Sequence, residues 1–235
     1  FWHTPFWVPQ VKIVLISTVV LIVSGFVFTF ISFYKTSLWE LPLSKRILTA
    51  LFESVTLRTA GFETIPQTSF TSSASLFHLV LMFIGGSPGS IAGGVKTTTA
   101  FITLLYLLDG NEQRTTVSFA NRRIPSNIIN KSITIVSRSV LILLISAISL
   151  SYAENHLISN GTISLIDIIY ESVSALATVG LSRGLTPQLS FLGKLIIIIT
   201  MYIGRTGIYA MSIKSGFTGS VNEDLIYPEE SLLVG

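Results

Sequence analysis

The sequence predicts an all-α polytopic membrane protein built from two tandem, parallel repeats, and three observations carry that prediction. Apolar residues make up 49% of the 235 positions and charged residues only 11%, against about 25% charged in soluble domains. Uncharged runs of 22 residues (Ile13–Tyr34) and 32 residues (Thr64–Val95) stand in the first half, and about 20 apolar helical residues cross a bilayer. The chain also repeats itself at an offset close to 119 residues. This composition excludes a soluble catalytic domain, and its 15 Phe exclude a disordered chain. With no Cys, neither a disulfide scaffold nor a thiolate metal site can form. The net charge of +3 comes from 15 basic residues scattered among apolar runs, so it makes no nucleic-acid-binding face.

Taken in order, residues 1–10 read as a linker or interfacial segment, with Trp2, His3, Phe6 and Trp7 set around Pro5 and Pro9 like an aromatic belt. A chain opening on Phe1 is expected to have had sequence upstream. Ile13–Tyr34 is the first span. Its apolar core is too long for a signal peptide, and no small-residue cleavage site follows it. Residues 47–59 predict a helix too short to cross. The stretch from Thr64 to Leu108 is long enough, but Gly85, Gly86, Pro88, Gly89, Gly93 and Gly94 interrupt it. A continuous helix does not tolerate that cluster, and broken backbone at membrane depth survives only where it is buried in protein or lines water.

Residues 109–131 form a polar loop carrying Arg114, Arg122, Arg123 and Lys131. The next span covers roughly residues 132–152, and the connector after it, to Ser164, has Glu154 and no Lys or Arg. The positive-inside rule therefore places 109–131 in the cytoplasm. A second short helix is predicted at 163–177, a last span at 189–213, and an acidic tail at the end. The expected division is a repeat over 11–108, the cytoplasmic loop 109–131, a second repeat over 132–215 and a cytoplasmic tail 216–235.

The repeat is carried by four matches in order. Phe52-Glu53-Ser54-Val55 recurs as Tyr170-Glu171-Ser172-Val173, and Thr59-Ala60-Gly61 as Thr178-Val179-Gly180. Pro66-Gln67-x-Ser69-Phe70 recurs as Pro187-Gln188-x-Ser190-Phe191, and Met82-Phe83-Ile84-Gly85 as Met201-Tyr202-Ile203-Gly204. Each unit is a span, a re-entrant helix ending near Thr-x-Gly, and a second span. A half-helix that stops inside the membrane leaves carbonyls unpaired and a partial negative charge at its C-terminus. Both favour a partly dehydrated cation. Four such carbonyl segments to a ring replace hydration water in potassium filters.

The combination Thr56-Leu57-Arg58-Thr59-Ala60-Gly61-Phe62, Gly85-Gly86-Ser87-x-Gly89-Ser90, Ala92-Gly93-Gly94-Val95-Lys96-Thr97-Thr98-Thr99 and Ser174-Ala175-x-x-Thr178-Val179-Gly180-Leu181-Ser182 resembles the Trk/Ktr/HKT potassium transporter superfamily, in particular the C-terminal half of a Ktr-type translocating subunit. Ile203-Gly204-Arg205 and Tyr227-Pro228-Glu229-Glu230 are similar too. The resemblance implies potassium uptake through two helix–pore-helix–helix repeats, the third and fourth of four around one pore. It makes Thr59, Ala60, Gly61, Phe62 and Thr178, Val179, Gly180, Leu181 the selectivity filter. Potassium would be held by the backbone of Thr59, Gly61, Thr178 and Gly180. It gives Arg205 the role of an electrostatic barrier below the filter and Gly85–Gly94 that of a mobile intramembrane gate, with Arg58 bracing the filter.

Potassium is then the transported ion, sodium a candidate coupling ion, and no covalent cofactor is expected. The implied partners are the missing N-terminal half or a second copy of the chain, a homodimer mate, the lipid bilayer and a cytoplasmic ring of nucleotide-binding regulatory subunits. The alternative reading is a truncated, non-conducting remnant or membrane scaffold of the same family. The sequence departs from the family pattern at Thr206-Gly207-Ile208, where Leu/Val-Gly-Pro is usual, and at Ile91, where Thr is common.

Two enzyme-like motifs fail on context. Gly89–Thr97 lacks the contiguous Gly-Lys-Thr of a phosphate loop, because Val95 intervenes. Gly85-x-Ser87-x-Gly89 has no strand–turn–helix around it to form a nucleophile elbow. His78, Glu53 and Glu171 are read as packing or structural residues.

Overall fold

A computed structural model describes residues 9–109, 117–119 and 122–206. The expected interfacial segment before residue 9 and the tail 216–235 lie outside the described residues. The elements are α1 (Pro9–Ser32), α2 (Leu43–Thr56), α3 (Ser72–Phe83), α4 (Thr97–Asp109), α5 (Ser126–Ala153), α6 (Asn155–Ser159), α7 (Leu165–Leu176) and α8 (Phe191–Thr206), with a two-stranded antiparallel hairpin β1 (Val117–Phe119) and β2 (Arg122–Ile124) between α4 and α5. At 1.5 Å per residue, α1 is about 36 Å long and α5 about 42 Å, enough to cross about 30 Å of hydrocarbon. The protein is a helical membrane protein.

The boundaries differ from the sequence reading in several places, among them α2, which runs Leu43–Thr56 where the sequence predicts 47–59. Helix α1 starts at Pro9, earlier than Ile13, because proline suits a first helical position. Helix α5 starts at Ser126, six residues before the apolar run at Ser132. Pro125 precedes it with extended backbone, and the helix then runs through polar residues that hydropathy ignores. The loop expected over 109–131 contains the short hairpin. The break in the second span falls between Phe83 and Thr97.

Helix starts follow local chemistry. The Thr71 hydroxyl accepts from the Ala74 amide at the head of α3. Ser164 and Asp167 form a capping box on α7. Among the described residues the core divides into three clusters. One belongs to the first repeat (Phe33, Ala50, Phe70, Ala74) and one to the second (Leu150, Ile168, Leu185, Ile197). The third lies on the seam, where Leu57, Leu81 and Met82 meet Tyr170, Val173 and Val179. Polar side chains tie helices together, as expected where apolar contact alone gives little preference between lipid and protein. Ser146 and Thr200 hydroxyls sit 2.8 Å apart between α5 and α8. Ser54 donates to the Ile22 carbonyl at 2.7 Å. The fully buried His78 places Nε2 3.3 Å from the Thr29 hydroxyl.

Candidate functional site

The two Thr-x-Gly segments follow α2 and α7 directly, and their backbones match. Thr59 (φ 68°) and Thr178 (φ 52°) are the only non-glycine residues with positive φ among the described residues. Gly61 (φ 76°) and Gly180 (φ 96°) repeat that conformation two positions on. A left-handed residue with a Cβ costs about 1–2 kcal/mol, so two at equivalent places indicate a backbone held by its surroundings. In each segment a hydroxyl at the helix end does the holding. The Thr56 hydroxyl accepts from the Phe62 amide at 2.8 Å and donates to the Phe62 carbonyl at 2.6 Å. At the corresponding place the Ser174 hydroxyl accepts from the Gly180 amide at 3.2 Å. The segments also meet: a Cβ built on Gly61 would lie 1.9 Å from the Val179 carbonyl oxygen.

Behind them lies a polar lattice that crosses the repeat seam. The Gln67 side chain donates to Glu53 Oε1 at 2.8 Å and accepts from the Tyr170 hydroxyl at 2.8 Å. All three residues are buried. The Gln67 amide donates to Glu63 Oε1 at 2.9 Å. Glu171, the repeat counterpart of Glu53, accepts from Ser182 at 2.7 Å and from Thr186. Helices α2 and α7 thus each use one carboxylate to hold the segment that follows the Thr-x-Gly. Arg183 donates to Asp167 Oδ1 at 2.7 Å, to the Gln67 carbonyl at 2.8 Å and to the Ser75 hydroxyl at 2.6 Å. Burial works to raise the Asp167 carboxyl, but hydrogen bonds from Ser164 and Arg183 outweigh it and hold it below its ordinary value.

The Gly-rich break is stitched at its base. Gly85 N bonds the Val95 carbonyl at 3.0 Å, Val95 N the Phe83 carbonyl at 2.9 Å, and Thr97 N the Gly86 carbonyl at 3.0 Å. Beyond the base, Ser87 to Ser90 make a turn, with Ser90 N and Oγ both donating to the Ser87 carbonyl. The break packs beneath the second Thr-x-Gly segment, where a Cβ on Gly93 would lie 2.2 Å from the Ala177 carbonyl and the Thr178 hydroxyl. Arg205, at the end of α8, is exposed in this structure and not deeply enclosed as its place in an apolar run suggests. Its guanidinium donates to the Ile91 carbonyl at 3.0 Å. Lys96 donates to the carbonyls of Ser90 at 3.2 Å and of Ala92. Both cations line a cavity of 430 Å³ together with Ser90, Gly93, Gly94 and Gly204.

The structure therefore brings Thr59–Phe62 against Thr178–Leu181 and Arg205 against the 85–94 break. Arg58 donates to the Gly85 carbonyl at 2.8 Å, so its bond runs to the break. Sequence reasoning passed over Lys96 as a partner of the break, although it is the single charge between Glu63 and Asp109. It also missed Gln67, Tyr170 and Arg183, whose contacts join residues 103 to 116 positions apart.

The chain is similar to known cation transport proteins. The chain is 32% identical over 229 residues to the potassium/sodium uptake protein NtpJ of Enterococcus hirae, covering 95% of the chain and 49% of that protein. It is 33% identical to the Ktr system potassium uptake protein D of Bacillus subtilis, covering 79% and 40%, and 33% identical to the Ktr system potassium uptake protein B of Vibrio alginolyticus, covering 95% and 48%. The chain spans about half the length of the curated relatives it matches. Its fold is similar to that of the crystal structure of the potassium transporter TrkH from Vibrio parahaemolyticus, with a TM-score of 0.66 at 20% identity over 86% of this chain and 44% of the other. The family model for the TrkH cation transport protein matches residues 6–217. The chain belongs to the TrkH family of cation transport proteins, which are transporters and not enzymes.

Proposed function

We propose that the chain supplies two of the carbonyl-lined filter segments of a potassium uptake pathway, with the 85–94 break and Arg205 as its gate. The observation that carries this reading is the paired left-handed backbone at Thr59/Gly61 and Thr178/Gly180, each pair closing a re-entrant helix and the two pairs in contact. Carbonyls held by the protein at a helix C-terminus exchange for hydration water around a desolvated cation at little reorganisation cost. Potassium is the transported ion and sodium a coupling ion; the Enterococcus hirae relative is a potassium/sodium uptake protein by name. Two segments make half a ring, so the pathway is completed by two further repeats or by a second copy of the chain. The assembly is a homodimer on a ring of nucleotide-binding subunits, docked through the 109–131 loop and the tail 216–235.

Below the filter, the Arg205 guanidinium beside Lys96 sets two positive charges in one cavity. That is an electrostatic barrier to a cation. Tracer rubidium uptake by the complete assembly tests the reading. Arg205→Ala at equal protein level is expected to raise flux, and an unchanged or lower flux removes Arg205 from the gate. Failure of the intact assembly to take up rubidium at all would favour the non-conducting remnant.

A further inference from the structure

The region just past the second Thr-x-Gly segment holds a feature that neither the carbonyl ring nor the gate uses. Arg183 stands three residues after Gly180 and forms the ion pair with Asp167, at side-chain exposures of 11% and 18%. Its two other bonds leave the second repeat altogether. They end on the Gln67 carbonyl and the Ser75 hydroxyl, at the segment following the first Thr-x-Gly and at the head of α3. Three residues span at most about 10 Å when fully extended, so slack at Arg183 reaches Gly180.

Its anchors are themselves fixed. Asp167 is locked by the Ser164 amide and hydroxyl at 2.9 and 2.6 Å. Gln67 is clamped by Glu53 from the first re-entrant helix and Tyr170 from the second. The neighbouring Ser182 is tied to Glu171 on its own re-entrant helix. The segment after Gly180 is therefore tied to its own repeat through Glu171 and Asp167, and Arg183 is also its strut to the other repeat. The strut is one-way. At the repeat offset the first unit carries Phe62, Glu63 and Thr64, none of them basic.

The geometry points to Arg183 as a positioning residue that sets the register of one filter segment against the other, and hence the discrimination of potassium from sodium. It touches no ion. Its charge is matched by Asp167, so it adds no net positive charge at the mouth, and its planar fork reaches a carboxylate, a carbonyl and a hydroxyl at once. Lysine, with one nitrogen, cannot reproduce that spread. Discrimination by a carbonyl ring depends on the number and placement of its oxygens, and a strut between two of its segments acts on placement.

This inference rests on reading Thr178–Leu181 as filter, and the experiment separates the two. In the complete assembly reconstituted into liposomes, potassium and sodium uptake are measured for the parent, Arg183→Gln and Arg183→Lys. The parent is expected to prefer potassium. Arg183→Gln is expected to lose about tenfold in the potassium-to-sodium ratio, equivalent to about 1.4 kcal/mol, and Arg183→Lys to recover only part of it. A parent ratio preserved in both variants overturns the positioning role. So does an equal fall in both fluxes, which is what a general loss of folded protein gives. If Arg183→Gln yields no folded protein, Arg183→Lys alone decides, and a parental ratio there overturns the proposal. A parent assembly that carries no potassium overturns the filter reading instead.

Discussion

Gly61 and Gly180 occupy equivalent places in sequence, yet their surroundings differ enough to give opposite expectations for the same substitution. Both need positive φ, which costs an alanine about 1–2 kcal/mol. At Gly180 that is the whole cost, because nothing lies within 4 Å of a built Cβ. Thr178, two residues earlier, already carries a Cβ at φ 52°. At Gly61 the Cβ would lie 1.9 Å from the Val179 carbonyl oxygen, where real Cβ contacts essentially never fall under 3.0 Å. One segment must then retreat by about 1 Å, a misplacement that can cost about a hundredfold where geometry sets the rate. Gly180→Ala is accordingly expected to reduce tracer rubidium uptake by about tenfold or less, and Gly61→Ala by about a hundredfold. Uptake into liposomes holding the complete assembly, normalised to folded protein, reads both. Equal effects of the two substitutions, or a mild effect at Gly61, would refute the contact between the two segments.

Other expectations follow from the same geometry. Tyr170→Phe removes one hydroxyl and strands Gln67 Oε1 in a buried site. The unfolding midpoint in detergent should fall by the equivalent of about 1–3 kcal/mol, and an unchanged midpoint would mean the seam does not depend on that bond. Lys96→Met frees the Ser90 and Ala92 carbonyls. It should quicken amide exchange across residues 87–92 and raise cation flux, and if both stay at parental values Lys96 does not restrain the break. Asp167 has a depressed folded pKa, so its contribution to stability is complete above its unfolded value near 3.8 and is lost as pH falls through the lower folded value. Thermal unfolding of Asp167→Asn and the parent compared between pH 7 and pH 5 should therefore differ by a constant amount. A gap that closes within that window would show that the carboxylate is not held by Arg183 and Ser164.

Much of the fold was legible because membrane helices announce themselves by the absence of charge and because the chain repeats. The short helices α2 and α7, the Thr-x-Gly segments that follow them and the break between Phe83 and Thr97 lie near where offset and glycine clustering put them. The start of α5 was not legible. Ser126, Asn127, Asn130 and Lys131 dilute Ile128 and Ile129 below the hydropathy of a span, and only Pro125 marks the helix boundary. The hairpin at Val117–Phe119 and Arg122–Ile124 is too short to produce a pattern above background. The seam lattice was hidden for a different reason. Gln67 and Arg183 lie in polar connecting segments, and nothing local states that an arginine will find a glutamine carbonyl 116 residues earlier. Lys96 could have been weighed from the sequence, since a solitary charge in such a run requires a partner.

The stitched base of the Gly-rich break also has a mechanical meaning. Its two ends are bonded to each other across Ile84 and Val95, so the intervening residues form a bight with both feet clamped. Such a segment can swing without altering the length or tilt of α3 or α4, because neither helix has to yield for it to move. The entropy of closing it is already spent in the resting fold. In the gate proposed above, opening and closing would be a local rearrangement of a few carbonyl contacts to Arg205 and Lys96, with the surrounding bundle as a stationary frame. Hydrogen exchange should reveal that division of labour, with slow amides at Gly85, Val95 and Thr97 framing fast ones at the tip.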